Sequence, residues 1–186
     1  MQKVDNLTFI RSEELYKAFL DAKGAGKVGH FGLSAHKNTQ NVLEAAIETG
    51  WYDSAMIGIT PAGWYDFSTK ELAEGTPPLV ELQPLLNRAR DAGIGLIGMK
   101  TVLYLAPTTA YRPSIRKNLG FLGQGDSTAF DKVYDENFKT SPLNPYQRSI
   151  AYVLEHGLDV VNADMQNFKY LEENIIAAAT SHTYFG

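Results

Sequence analysis

Apolar residues along this chain fall into two alternating patterns. In one they recur every three or four positions between capping residues; in the other they form short, glycine-containing runs. Ser12 followed by Glu13 and Glu14, with Leu15, Phe19 and Ala22 at helical spacing up to Gly24, predicts a helix. Val42, Leu43, Ala46 and Ile47 predict a second one from about Asn38, with Gly50 in the stop position. The stretch LVELQPLLNRARDAG predicts a third, whose regular part is expected to start at Pro84 and to stop at Gly93. Asn144, Pro145 and Gln147 spell a capping box with proline at the first helical position, and Ile150, Val153 and Leu154 carry that helix to Gly157. A fifth helix is expected from about Asn167, with Leu171, Ile175 and Ala178 on one face.

Between these helices lie VGHFGLSA (Val28–Ala35), WYDSAMIGI (Trp51–Ile59), IGLIGM (Ile94–Met99) and LDVVNA (Leu158–Ala163), with a weaker candidate, VDNLTFI (Val4–Ile10), at the start. Such runs are apolar throughout instead of alternating, which suits strands covered on both faces. Strands alternating with helices through short turns indicate a parallel sheet built of βα units. The segment from about 101 to 143 is longer than an ordinary connection, which marks it as functional or partly mobile. At 186 residues the chain is expected to form a single domain, 1–186.

Composition narrows the chemistry. The chain is 44% hydrophobic and 20% charged, as in a globular protein. A net charge of −4 without a cationic block argues against nucleic acid as a partner. The absence of cysteine removes disulfides, thiol catalysis and cysteine-ligated metals. No pair of histidines has metal-ligand spacing with a carboxylate, so no metal is expected. MQKVDNLTFI lacks the apolar core of a secretion signal, and no run reaches membrane-spanning length, so no membrane association and a cytoplasmic location are expected.

Three pieces, GKVGHFGLSAHK (Gly26–Lys37), AGIGLIGMKT (Ala92–Thr101) and LDVVNADMQNFKYLEEN (Leu158–Asn174), resemble in order and spacing the C-terminal half of an aldo-keto reductase. The resemblance runs from about Ser12 to Ala179. It implies an α/β chain that is a partial (β/α)8 TIM-type barrel, with about four to five parallel strands, flanking helices and a long loop at about 101–143. It also implies an NADP(H)-dependent oxidoreductase that reduces carbonyls. On this resemblance Ser34 and His36 match the region that holds the nicotinamide carboxamide, and Lys100 lies near the loop over the pyrophosphate. Met165, Gln166 and Asn167 stand where phosphate is contacted, and Glu173 and Asn174 match an adenine-contacting pair. A helix N-terminus suits phosphate on physical grounds as well, through unpaired N–H groups and the dipole.

The chain departs from the family in four places. Lys169-Tyr170 replaces the arginine that usually grips the 2'-phosphate, leaving NAD(H) as an alternative cofactor. Ile59-Thr60-Pro61 stands where a glutamine or a Tyr-Asn pair faces the nicotinamide. Ile10 and Arg11 stand where the family's histidine ends its strand, and the catalytic tyrosine, lysine and aspartate belong to the half of the barrel that this sequence does not contain. No catalytic residue is therefore carried over, and the chain is expected to be inactive alone.

Plainer readings stand beside these. Asn167 is a helix cap whether or not it meets a cofactor, and Glu172 and Glu173 in the first turns favour the helix dipole without a ligand. His30 reads as a packed core residue, His36 as a strand-end residue better placed for function, and His156 as a structural group beside a helix-stop glycine. The aromatics of WYDSAM and GWYDF read as a loop shielding a core. Arg112, Arg116 and Lys117 are candidates for a phosphate grip, with solvated loop charge the commoner reading. A half barrel leaves two unpaired edges and an open apolar face. The resemblance therefore implies a homo-oligomer or a partner chain that completes the barrel, with the long loop as partial cover. The alternative is a noncatalytic binding or assembly module that keeps the fold only.

Overall fold

The computed structural model describes residues 2–3, 7–105, 126–163, 165 and 167–184. They form an α/β structure on a mixed sheet. Five strands run parallel in chain order: β1 (Gln2–Lys3), β2 (Gly32–Ala35), β3 (Ser54–Thr60), β6 (Gly95–Met99) and β7 (Val160–Asn162). Two short strands, β4 (Gly63–Asp66) and β5 (Glu71–Leu72), turn back antiparallel from the end of β3. Among the described residues β1 and β7 do not meet, so the sheet is open.

The connections carry the helices. α1 (Leu7–Ile10) and α2 (Glu13–Gly24) lie between β1 and β2, and α3 (Thr39–Thr49) lies between β2 and β3. α4 (Leu79–Asp91) precedes β6, α5 (Glu136–Lys139) and α6 (Pro145–Glu155) precede β7, and α7 (Phe168–Thr180) follows it. Local chemistry sets several of these ends. The Ser12 hydroxyl accepts from Leu15 N at 3.2 Å. Asn144 Oδ1 accepts from Gln147 N at 3.0 Å while Gln147 Oε1 accepts from Asn144 N at 2.9 Å, a reciprocal cap. Gly50, at φ 64°, closes α3 in the left-handed region.

One face of the sheet is packed against helices. Leu33, Ala35, Ala55, Ile57, Ile59 and Leu96 are buried with Val42, Leu43 and Ala46 of α3 and Leu79, Leu82, Leu86 and Ala89 of α4. The opposite face is less covered. Ser34, Met56, Ile97 and Val160 lie in one row across β2, β3, β6 and β7; Met56 and Ile97 are half-buried and Val160 is 53% exposed. Phe130, Tyr134, Phe138 and Leu143, from the long connection before β7, enter the core. No helix among the described residues is long and apolar enough to cross a membrane.

Several expectations are corrected. Leu7–Ile10 is a helical turn, not a strand, and the first parallel strand lies upstream at Gln2–Lys3; Val4, Asp5 and Asn6 lie outside the described residues. The strand expected from Val28 begins only at Gly32: the Phe31 carbonyl still accepts from Asp53 N at 2.7 Å, but its N–H donates to the Asp53 carboxylate at 2.6 Å, and its ring stacks with Phe19 and Tyr52 at 4.7 Å. His30 is not a core residue: its side chain is 83% exposed, 3.7 Å from the Asp53 carboxylate. α4 starts at Leu79, with Pro84 inside it. Both Pro84 and Val80, whose carbonyl loses its usual donor, are exposed, so that bond is lost on the wet side while Leu79, Leu82, Leu85 and Leu86 stay buried. On α7 the expected apolar face is wet: Ile175 is 57% exposed and Ala178 is exposed, and Ala177 is the buried residue.

Candidate functional site

In a parallel sheet the carboxyl ends of the strands and the loops beyond them gather on one side, where ligands bind in open and closed α/β folds alike. The register puts His36, just past β2, level with Gly58 of β3, Met99 of β6 and Asn162 of β7. Lys100 follows Met99 in the left-handed region at φ 67°, a conformation that costs a residue with a Cβ about 1 kcal/mol or more and turns its side chain out of the ladder.

Three predicted residues converge there although His36 and Lys100 are 64 residues apart in sequence. Lys100 Nζ lies 2.7 Å from His36 Nδ1, and His36 Nε2 lies 3.3 Å from Ser34 Oγ. An ammonium only donates, so beside charged Lys100 the Nδ1 atom accepts; the ring hydrogen then sits on Nε2 and points to the Ser34 hydroxyl. The Ser34 proton is left to be donated elsewhere. Lys100, His36 and Ser34 thus form a chain of donors running from an ammonium to a nearly buried hydroxyl.

The β4–β5 hairpin covers this cluster, and it is the part that sequence reasoning missed. Phe67 N donates to His36 O at 2.8 Å, and Lys100 Nζ stands 4.3 Å from the Phe67 ring centre and 5.8 Å from that of Tyr65, within cation–π range. The Phe67 and His36 rings meet edge to face at 5.8 Å. Tyr65 is nearly fully buried; burial first, then the Glu71 and Asp66 carboxylates, push its phenol up to about 12. Tyr104, in edge contact with Tyr65 at 5.7 Å, is raised in the same way by burial and by Glu71. Burial pulls Asp66 upward, but hydrogen bonds from the Ser68 hydroxyl and from the Ser68 and Thr69 amides, with Lys37 nearby, leave its carboxyl below the ordinary range. The signal for the hairpin was the GWYDF run, whose aromatics do shield, as expected, but shield the predicted site itself.

The remaining predicted residues form a second group, after β7. Asn167 is a working cap: its Oδ1 accepts from Tyr170 N at 3.0 Å. Met165 is 58% exposed. Glu173 has a structural task, since its backbone carbonyl accepts from Gln147 Nε2 at 3.3 Å and ties α7 to α6, while its carboxylate lies 3.9 Å from Lys169 Nζ. Asn174 is half-buried beside it. Gln166 lies outside the described residues, as do Arg112, Arg116 and Lys117. His156 is structural as expected, with Nδ1 2.8 Å from Tyr152 O and its ring stacked on Tyr152 at 3.9 Å. Among the described residues no cluster of three metal-ligating side chains occurs.

No protein-family model matches the chain, and neither a curated protein nor a solved structure matches it significantly.

Proposed function

We propose that this chain is the nucleotide-binding half of an aldo-keto-reductase-like, NADP(H)-dependent oxidoreductase of (β/α)8 type, inactive without the rest of the barrel. The observation that carries this reading is the convergence of Ser34, His36 and Lys100 at the carboxyl ends of β2 and β6. Two features of the sheet support it. Its parallel strands follow one another in chain order, as barrel staves do, and the face away from the helices is only half covered.

The side chains present suit a nicotinamide dinucleotide. Ser34 and Lys100 offer a hydroxyl and an ammonium to a carboxamide and a pyrophosphate, and the Asn167-capped end of α7 adds backbone donors for a further phosphate. When bound, a reduced nicotinamide supplies a hydride to a carbonyl carbon. The work of this chain is to bind and orient it: Lys100 fixes the His36 tautomer, His36 orients Ser34, and the hairpin keeps water from that row. A cytoplasmic location belongs to the same reading, because NADP(H) reductions take place where that pool is kept.

Addition of the purified chain to NADPH should enhance and blue-shift its fluorescence saturably, and Lys100→Met and Asn167→Asp should each weaken binding at least several-fold. No change on mixing overturns the proposal. Binding of NADH as tight as that of NADPH would assign the site to NAD(H), in keeping with Lys169 and Tyr170 replacing the expected arginine.

A second reading, a noncatalytic assembly module, is favoured by one specific observation: Val160, Met165, Phe168, Ile175 and Ile176, all on or beside β7 and α7, are between 47% and 84% exposed. Each large apolar side chain buried against a partner gains on the order of 1.5–3 kcal/mol, which is considerable beside a domain stability of about 5–15 kcal/mol. Both readings place a second copy or a completing chain on this edge. Sedimentation equilibrium should show a species larger than a monomer, converted to monomer by Phe168→Asp; a stable wild-type monomer would refute the association.

A further inference from the structure

β7 ends in Asn162, an exposed residue on the half-covered face of the sheet. Side chains alternate along a strand, so Asn162 lies on the same face as Val160. The register carries that face from Val160 through Ile97 and Met56 to Ser34. Met56 and Ile97 are half-buried and Val160 is exposed, so the middle of the row is an apolar floor. Two polar groups reach Met56 from opposite sides. Ser34 is its neighbour in the ladder with β2, and the Asn162 amide turns back from β7 to place Nδ2 3.8 Å from Met56 Sδ.

The two groups have opposite polarity. A thioether can only accept, so this contact turns the Asn162 NH2 toward Met56 and leaves its carbonyl oxygen for another donor. Among the described residues nothing donates to that oxygen. Ser34 is the reverse case: its oxygen takes the His36 Nε2 hydrogen at 3.3 Å, and its own proton is left for another acceptor. An acceptor and a donor thus flank the Met56 thioether, the first on the exposed side of the row.

A primary carboxamide is the complement of this pair, since its oxygen takes the Ser34 proton and its NH2 gives one to Asn162 Oδ1. A carboxylate is not: it brings no proton for Oδ1 and sets two acceptors against each other, and a site built to bond an N–H rejects the analogue that lacks it. An aromatic ring bearing the amide rests on the floor below, where contact with a thioether is favourable. We propose that Asn162 acts with Ser34 to read the carboxamide of the nicotinamide ring, making the site selective for the amide over the acid form of the dinucleotide. This selectivity rests on nucleotide binding at the ends of β2, β6 and β7, from which it can be separated by experiment.

Displacement of NADPH from the purified chain, followed by its fluorescence, compares NADP+, the nicotinic acid analogue of NADP+, and 2'-phospho-ADP-ribose, which lacks the ring. NADP+ should bind at least several-fold more tightly than the nicotinic acid analogue. Asn162→Leu should weaken NADP+ several-fold and shrink that preference, while leaving the affinity for 2'-phospho-ADP-ribose unchanged. Equal affinities for the amide and the acid, a preference undiminished in Asn162→Leu, or an equal loss of 2'-phospho-ADP-ribose in that variant would each overturn the role of Asn162 and leave nucleotide binding standing. A wild-type chain that does not bind NADPH at all would overturn both.

Discussion

Gly58 tests whether the hairpin is seated over the strand ends as described. A Cβ at this position would stand 2.9 Å from the Tyr65 carbonyl oxygen, a backbone atom that cannot rotate away, and 3.9 Å from Ala35 O and Lys100 Cδ. β3 cannot yield, because it pairs on both sides, with β2 and with β6 at Gly58 itself. The hairpin must move instead, loosening the Phe67 N to His36 O bond and the stacking of Lys100 on Phe67. Overpacking of this kind costs about 1–3 kcal/mol, and for a domain of this size each kcal/mol lowers Tm by about 2–4 °C. Gly58→Ala should therefore melt about 4–8 °C below wild type for a cost of about 2 kcal/mol, with the urea midpoint lowered and the m-value unchanged. Gly24→Ala is the control. Nothing lies within 4 Å of its added Cβ and it ends α2, so alanine should be neutral or stabilising by up to about 1 kcal/mol. Equal melting temperatures for Gly58→Ala and wild type would refute the placement of Tyr65 against β3.

Two further outcomes follow from groups around the same site. Ser149 is fully buried and donates to Thr101 O at 2.6 Å, so Ser149→Ala strands a buried carbonyl next to Lys100; chemical denaturation should show a loss of about 1–3 kcal/mol. Tyr65 has a phenol raised from 10 to about 12 in the folded chain, so the unfolded chain loses this proton first. The Tyr65 contribution to stability is complete below pH 10 and is lost as pH rises toward 12; Tyr65→Phe should flatten that part of the alkaline stability profile, and an unchanged profile would contradict the burial of the hydroxyl.

What was legible in the sequence was whatever a few neighbouring residues decide. The Asn144–Gln147 box, the Ser12 and Asn167 caps and the Gly50 stop are local chemistry, and each is in its expected place. Parallel order was legible too, because apolar strands alternated with helices. The errors came where tertiary context overrode local signals. Pro84 reads as a helix start, yet its lost bond lies on the exposed side of α4. Val28–Phe31 reads as strand, yet Phe31 is drawn into an aromatic stack with Phe19 and Tyr52. Ile175 and Ala178 read as a buried face, but none of the described residues covers them.

Candidate residues can be picked from the sequence one by one, but their arrangement cannot. Ser34 and His36 are marked by their place at a strand end, and Lys100 by its own. That Lys100 meets His36 depends on β2, β3 and β6 pairing in one register and on the left-handed turn at Lys100, neither of which has a local signature. The hairpin was hidden for a similar reason. Thr60 supplies its own turn chemistry, accepting from Ala62 N and donating to Gly63 O, both at 3.2 Å, so that a strand apparently ending at Ile59 instead folds back over its neighbours.

The carboxyl ends of β2, β6 and β7 are proposed to hold a nicotinamide dinucleotide together. Chemical-shift mapping of the isotope-labelled chain during titration with NADPH tests it most directly. Saturable shifts are expected at Ser34, His36 and Lys100 together with those at 165–174, with little change on the outer faces of α2 and α4. Shifts absent from both groups, or confined to the outer helices, would contradict it.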